Sequence, residues 1–177
     1  MEDFKIALIL GTGREGANSQ KVFDFVFQEA KNFGFDVYDI KVKDWLDKPY
    51  TGGMSENKRN KISEILNESN GFIIVSPEYN HSFPGELKLF LDEFYEEFNH
   101  KPVGICGVSS GKLGGARMVE SLRLVLIEFM MIPLRNAVYF SNVGNFDNEK
   151  ENYKEFLKNL FEELKFYINK LKSESKN

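Results

Sequence analysis

Five stretches of the chain, 4–10, 36–40, 71–75, 102–108 and 136–140, are short and mainly apolar, and the segments between them repeat apolar residues every three or four positions. Strand-like runs alternating with helical periodicity predict βαβ units and a parallel sheet of five strands. In 19–33, Val22, Phe23, Val26, Phe27 and Ala30 fall on one helical stripe that packs on the sheet. A second stripe runs through 154–171 by way of Phe156, Leu157, Leu160, Phe161, Leu164, Tyr167, Ile168 and Leu171, with Asp147 or Asn148 as its candidate cap. Stretch 43–55 holds Trp45, Pro49, Tyr50, Gly52 and Gly53 and has no period, so it reads as a long connection or a lid, the connection being the commoner outcome. Helical pattern resumes over 56–66.

Two further helical segments are more apolar than one buried face requires. Leu87, Leu89, Phe90, Leu91, Phe94, Tyr95 and Phe98 crowd one, and apolar residues nearly encircle the other from Val119 through Leu122, Leu124, Leu126, Ile127 and Met130 to Ile132. Such faces are expected to be covered, and a symmetric homodimer is the simplest cover. Arg117, Glu120 and Arg123 then stand either as ion pairs at its rim or as an ordinary solvated helix face.

The 177 residues fit one domain, 1–172, with a frayed tail at 173–177, and 42% hydrophobic residues are enough for a full core. A net charge of −4 argues against a broad nucleic-acid footprint and for small-molecule partners. The lone Cys106 lies in an apolar run and reads as packing in a reducing compartment. With no basic leader or membrane-length apolar run, the protein is expected in the cytoplasm and not on a membrane. His81, His100 and Cys106 do not have metal-ligand spacing, so no metal is expected.

The chemistry concentrates where strands end. After the first, Gly11, Gly13 and Gly16 satisfy G-x-G-x-x-G, with Asp36 or Asp39 near the next strand, which is the spelling of a dinucleotide fold. Arg14 within the loop, the hydroxyl of Thr12 and the run Asn18-Ser19-Gln20-Lys21 favour a terminal phosphate instead, because a helix N-terminus offers free N–H donors and Arg14 a bidentate contact. A tight turn with an exposed arginine is the bland alternative. After the third strand, Ser76-Pro77-Glu78-Tyr79-Asn80-His81-Ser82-Phe83-Pro84-Gly85 is a polar loop bracketed by prolines, suited to wrapping a flat, acceptor-rich ring. After the fourth, Ser109-Ser110-Gly111-Lys112-Leu113-Gly114-Gly115 offers hydroxyl donors and glycines that admit close approach, or merely ends a strand and starts a helix.

Together the string SPEYNHSFPGELK, the loop from Gly11 to Val22 and the run from Ser109 to Arg117 resemble the NADPH-dependent FMN reductase family of quinone, azo-dye and chromate reductases. The resemblance covers about 6–140. It implies a flavodoxin-like three-layer α/β sandwich with strand order 2-1-3-4-5, and non-covalent FMN as cofactor. Thr12, Arg14, Ser19, Gln20, Lys21 and Val22 would then hold the phosphate, and Pro77, Glu78, Tyr79, Asn80, Ser82, Ser109, Ser110, Gly111, Gly114 and Gly115 the ring and ribityl chain. Backbone N–H groups near Tyr79 and Asn80 would meet the ring edge that gains negative charge on reduction. Tyr79 either stacks on the flavin or covers an apolar neighbour. NADPH or NADH would pass a hydride to flavin N5 in a ping-pong cycle ending on a quinone, azo compound, chromate or free flavin. No protein base is required, so no catalytic residue is named. Arg14, Lys112 and Arg117 are candidates for preferring NADPH. The family also points to a dimer or dimer of dimers. A flavodoxin-type electron carrier and a non-enzymatic flavin- or nucleotide-binding sensor are the alternatives.

Overall fold

The computed structural model describes residues 4–47 and 53–174. Its elements run β1 (Lys5–Leu10), α1 (Asn18–Phe33), β2 (Asp36–Lys41), α2 (Val42–Trp45), α3 (Glu56–Glu68), β3 (Gly71–Pro77), α4 (Gly85–Leu91), β4 (Pro102–Val108), α5 (Ala116–Glu128), β5 (Ile132–Pro133), β6 (Val138–Phe140), α6 (Phe146–Glu149) and α7 (Lys154–Glu174). The strands pair in parallel in the order β2-β1-β3-β4-β5, and β6 also pairs with β4. This is the three-layer flavodoxin-like sandwich, with one difference from expectation: two short strands share the fifth position.

The interruption has a visible cause. Pro133 has no N–H to give, and the N–H groups of Arg135 and Asn136 donate to the Glu163 carboxylate on α7 at 3.0 and 2.9 Å. Backbone donors turned toward a side chain cannot extend a ladder. Pairing resumes only where Cys106 meets Val138.

Because side chains alternate across a strand, each central strand feeds two cores. Ile6, Leu8, Leu10, Ile73, Val75, Cys106 and Val108 face α1 and α7, whereas Ala7, Ile9, Phe72, Ile74, Val103 and Ile105 face α3, α4 and α5. The stripe of α1 packs as its spacing predicts, with Val22, Phe23, Val26 and Ala30 buried. Cys106 is fully buried, and desolvation drives its thiol far above the ordinary range, as befits a packing residue. On the opposite layer, the Lys101 ammonium donates to the carbonyls of Leu66 and Asn67 at the C-terminus of α3.

Other expectations are revised. Neither Asp147 nor Asn148 caps α7: both lie in α6, where Asp147 pairs with Lys21 at 2.7 Å and Asn148 donates to Asn145. A 3₁₀ turn, Lys150–Tyr153, leads into α7 instead. Ser173 and Glu174 continue that helix, while 175–177 lie outside the described residues. α4 stops at Leu91, and the break turns Phe94 and Phe98 into the core with Phe90, whereas Tyr95 stays 46% exposed. Arg117 and Arg123 are committed within the chain, Arg123 to Glu120 and to the carbonyls of Leu134 and Arg135. Trp45 packs half-buried against the second core, while Pro49, Tyr50 and Gly52 of the ambiguous stretch lie outside the described residues.

Gly104 allows α7 to sit on β4, since a Cβ there would lie 2.8 Å from the Leu160 side chain. Gly104→Ala therefore overpacks the core and is expected to cost about 1–3 kcal/mol, read as a lower urea midpoint with an unchanged slope. An unchanged midpoint would mean that Leu160 is free to move aside.

Candidate functional site

The loops that follow β1, β3 and β4 meet at the carboxyl edge of the sheet, where strand order reverses around β1 and ligands bind in folds of this kind. A cleft of about 340 Å³ opens there. Its walls are Arg14, Glu15, Gly16, Ala17, Asn18 and Ser19 from the first loop, Pro77, Glu78 and Tyr79 from the second, Val108, Ser109 and Ser110 from the third, and Val143 from the turn after β6.

α1 begins at Asn18, later than a dinucleotide fold with its third glycine packed at the helix start would have it. Asp36 opens β2 at the amino edge and its N–H donates to Phe4, so it is at the wrong end of the sheet for a ribose, and Asp39 pairs with Lys41. The N-terminus of α1 has no side-chain cap and no acidic residue in its first turn. Ser19 is 1% exposed, and its hydroxyl has no hydrogen-bond partner among the described residues. A buried hydroxyl without a partner beside open helix N–H groups is a donor set suited to a phosphate oxygen. Arg14 is exposed at the mouth of the cleft.

The second loop is a two-residue hairpin. Tyr79 and Ser82 exchange both backbone hydrogen bonds, at 2.9 and 3.0 Å, and Asn80 and His81 between them take φ of 50° and 69°. Two successive positive φ values are the signature of a type I′ turn. The N–H of Tyr79, one of the two expected near a ring edge, is thus spent on Ser82, and that of Glu78 on the Val108 carbonyl. The Tyr79 hydroxyl reaches Thr12 Oγ1 at 3.2 Å, and Thr12 Oγ1 also accepts from the Arg14 N–H at 3.2 Å.

Glu78 performs a role that sequence reasoning missed. Its carboxylate accepts from the N–H groups of Arg117 and Met118 at 3.2 and 3.3 Å and from the Arg117 guanidinium at 3.1 Å. An acid forty residues upstream therefore caps α5, favoured by the positive end of the helix dipole. Arg117, one of the candidates for nucleotide preference, holds this pair with its side chain half-exposed.

Of the expected site residues, Arg14, Ser19, Pro77, Glu78, Tyr79, Ser109 and Ser110 line the cleft. Thr12 lies behind it, holding Tyr79. Gln20 donates to Asp24, Lys21 pairs with Asp147, and Val22 is buried in the core. Asn80 is exposed at the turn tip and Ser82 closes the turn. Gly111 accepts from Ser109 Oγ and from the Asn142 N–H. Gly114 and Gly115 turn toward the sheet, not the cleft: a Cβ on Gly114, at φ of 59°, would lie 2.6 Å from the Tyr139 backbone. Glu15, Ala17 and Val108 fall between or beside motif residues, Gly16 and Asn18 belong to the first-loop motif but were not expected as ligands, and Val143 comes from a segment with no motif at all. The run Gly107-Val108-Ser109-Ser110-Gly111 also spells G-x-S-x-G, but Ser109 Oγ donates to the Gly111 carbonyl and neither His81 nor His100 lines the cleft.

Residues 4–145 match the model of the NADPH-dependent FMN reductase family. The chain belongs to that family. Among curated relatives, the NADPH azoreductase of Bacillus sp. (strain OY1-2) is 26% identical over 97% of each chain. The 2-hydroxy-1,4-benzoquinone reductase of a Burkholderia species is 31% identical over 67% of this chain and 68% of that one. Solved structures agree on the fold of the family. An oxidoreductase from Corynebacterium diphtheriae superposes with a TM-score of 0.79 at 16% identity, covering 96% of this chain and 99% of its own.

The bond between Thr12 and Tyr79 joins two of the three loops. Thr12→Val and Tyr79→Phe should each destabilise by about 1 kcal/mol and, combined, by less than their sum, as a double-mutant cycle in urea would register. Strict additivity would show that the two hydroxyls do not interact.

Proposed function

We propose that the chain is an FMN-dependent NAD(P)H oxidoreductase that passes electrons to a small acceptor such as a quinone or an azo compound. The observation that carries this reading is the unpartnered, buried Ser19 hydroxyl beside the uncapped start of α1, in a cleft walled by the family's own loops. Family membership and relatives named as azoreductase and benzoquinone reductase support the reaction class.

FMN held there would supply the redox chemistry, hydride acceptance from nicotinamide and electron delivery to the acceptor. The chain's residues do the holding. Ser19, the first N–H groups of α1 and Arg14 bind the phosphate. Pro77, Glu78 and Tyr79 on one side and Ser109 and Ser110 on the other border the ring, with Val143 adding an apolar contact. Thr12 acts indirectly by fixing Tyr79. One cleft serving both the nucleotide and the acceptor implies that they take turns, a ping-pong cycle.

The outer face of α5 supports a homodimer. Leu124 and Ile127 on the helix are 73% and 61% exposed, Met130 in the turn after it 45%, and Tyr95 beside them 46%. Leu124→Glu combined with Ile127→Glu should convert a dimer to a monomer in sedimentation velocity; a sedimentation coefficient equal to that of the native chain would place the interface elsewhere.

The redox reading is tested by anaerobic titration of the FMN-loaded protein with NADPH and then NADH. Bleaching of the flavin bands and reoxidation by a quinone are expected. Bands left unchanged by both nucleotides would make the protein a carrier or a sensor. Ser19→Ala gives an independent check. It removes a buried donor that has no partner, so the apoprotein should keep or gain stability, whereas FMN should dissociate roughly ten- to a hundredfold more readily. Unchanged FMN affinity would move the phosphate away from α1.

A further inference from the structure

Glu78 is the most buried charge on the cleft wall. Its side chain is 9% exposed, while that of its partner Arg117 is 48% exposed. The two charges are therefore unequally screened: water damps the field of the guanidinium far more than that of the carboxylate. Two α5 N–H groups offset part of the carboxylate's charge and the exposed Arg14 at the mouth is screened by water, so the least-screened formal charge on the wall contributes a negative potential there. Any ligand that gains negative charge during its reaction meets that potential more strongly after the gain than before it.

We infer that Glu78 lowers the reduction potential of the flavin held in this cleft and that Arg117 limits how far it does so. The inference rests on the reading of FMN as the ligand. A two-electron reduction adds negative charge to the flavin ring, so a neighbouring carboxylate disfavours the reduced form relative to the oxidised one and makes reduced flavin a stronger donor to the acceptor. Arg117 acts through its pairing with the carboxylate and is a positioning residue. The geometry explains why an acid is tolerated on the wall: α5 needs its cap, and the pair holds the second loop against the third.

A redox titration of the FMN-loaded protein against indicator dyes separates this role from a structural one. Glu78→Gln keeps the shape and one acceptor oxygen but removes the charge. It should raise the potential, equivalent to roughly a threefold gain in affinity for reduced over oxidised FMN. Arg117→Gln leaves the cap on α5 intact and should shift the ratio the opposite way, with Arg117→Lys returning it to the native value and high salt shrinking the difference. A cap without electrostatic influence weakens both redox forms equally, so an unchanged ratio, or shifts of the same sign in Glu78→Gln and Arg117→Gln, overturns the inference. Native protein that takes up no FMN overturns the functional reading and this inference with it, a result distinct from either of those.

Discussion

Pairing of β3 with β4 governs the geometry of the cleft. Their ladder runs from Phe72 opposite Val103 to Pro77 opposite Val108 and is prolonged by the Glu78 N–H bonding to the Val108 carbonyl. Both strands are buried along their whole length, so their register is held by packing on two faces at once. Since the strands end at one level, the second and third loops leave the sheet side by side. A slip of one residue would turn Ile73 and Val75 away from α1 and α7 and separate the loops.

Helix ends then divide the labour around the cleft. α5 begins against the carboxylate of Glu78, which occupies its N–H groups, whereas α1 begins beside a Ser19 hydroxyl that has no hydrogen-bond partner among the described residues. Both ends carry a positive dipole and both lie near the same opening, yet only one is left able to receive an anion. A ligand with a phosphate at one end and a flat ring at the other is thereby given a direction. The hydrogen-bonded Thr12 and Tyr79 make the first and second loops one unit, and the Glu78–Arg117 pair ties the second loop to the start of α5, where the third loop ends.

Much of this was readable in advance. Central strands were visible as apolar runs because burial on both faces demands them, and α1 and α7 because burial on one face demands a stripe. Less was readable where one backbone group has a choice of partners. The fifth strand is split because Glu163, distant in sequence, takes the N–H groups of Arg135 and Asn136. α4 ends early because Phe94 and Phe98 gain more by entering the core than by extending a helix. In the site, Lys21 lies two positions beyond Ser19 and so faces another side of α1, where it pairs with Asp147, whereas Val22, three positions on, shares the buried face of Ser19 and is taken up by the core.

Sequence by itself determined the layers, the parallel sheet, the three loops that carry the chemistry and the family to which they belong, because these depend on local period and on residue types at short spacing. Tertiary structure alone decided that Glu78 caps α5, that Thr12 holds Tyr79, that Gly114 and Gly115 serve packing, and that Val143 completes the wall. Each of these joins groups remote in the chain, or reflects which way a turn faces. Hydrogen bonds and close contacts of that kind form only after the sheet has brought the loop ends together, so no local pattern encodes them.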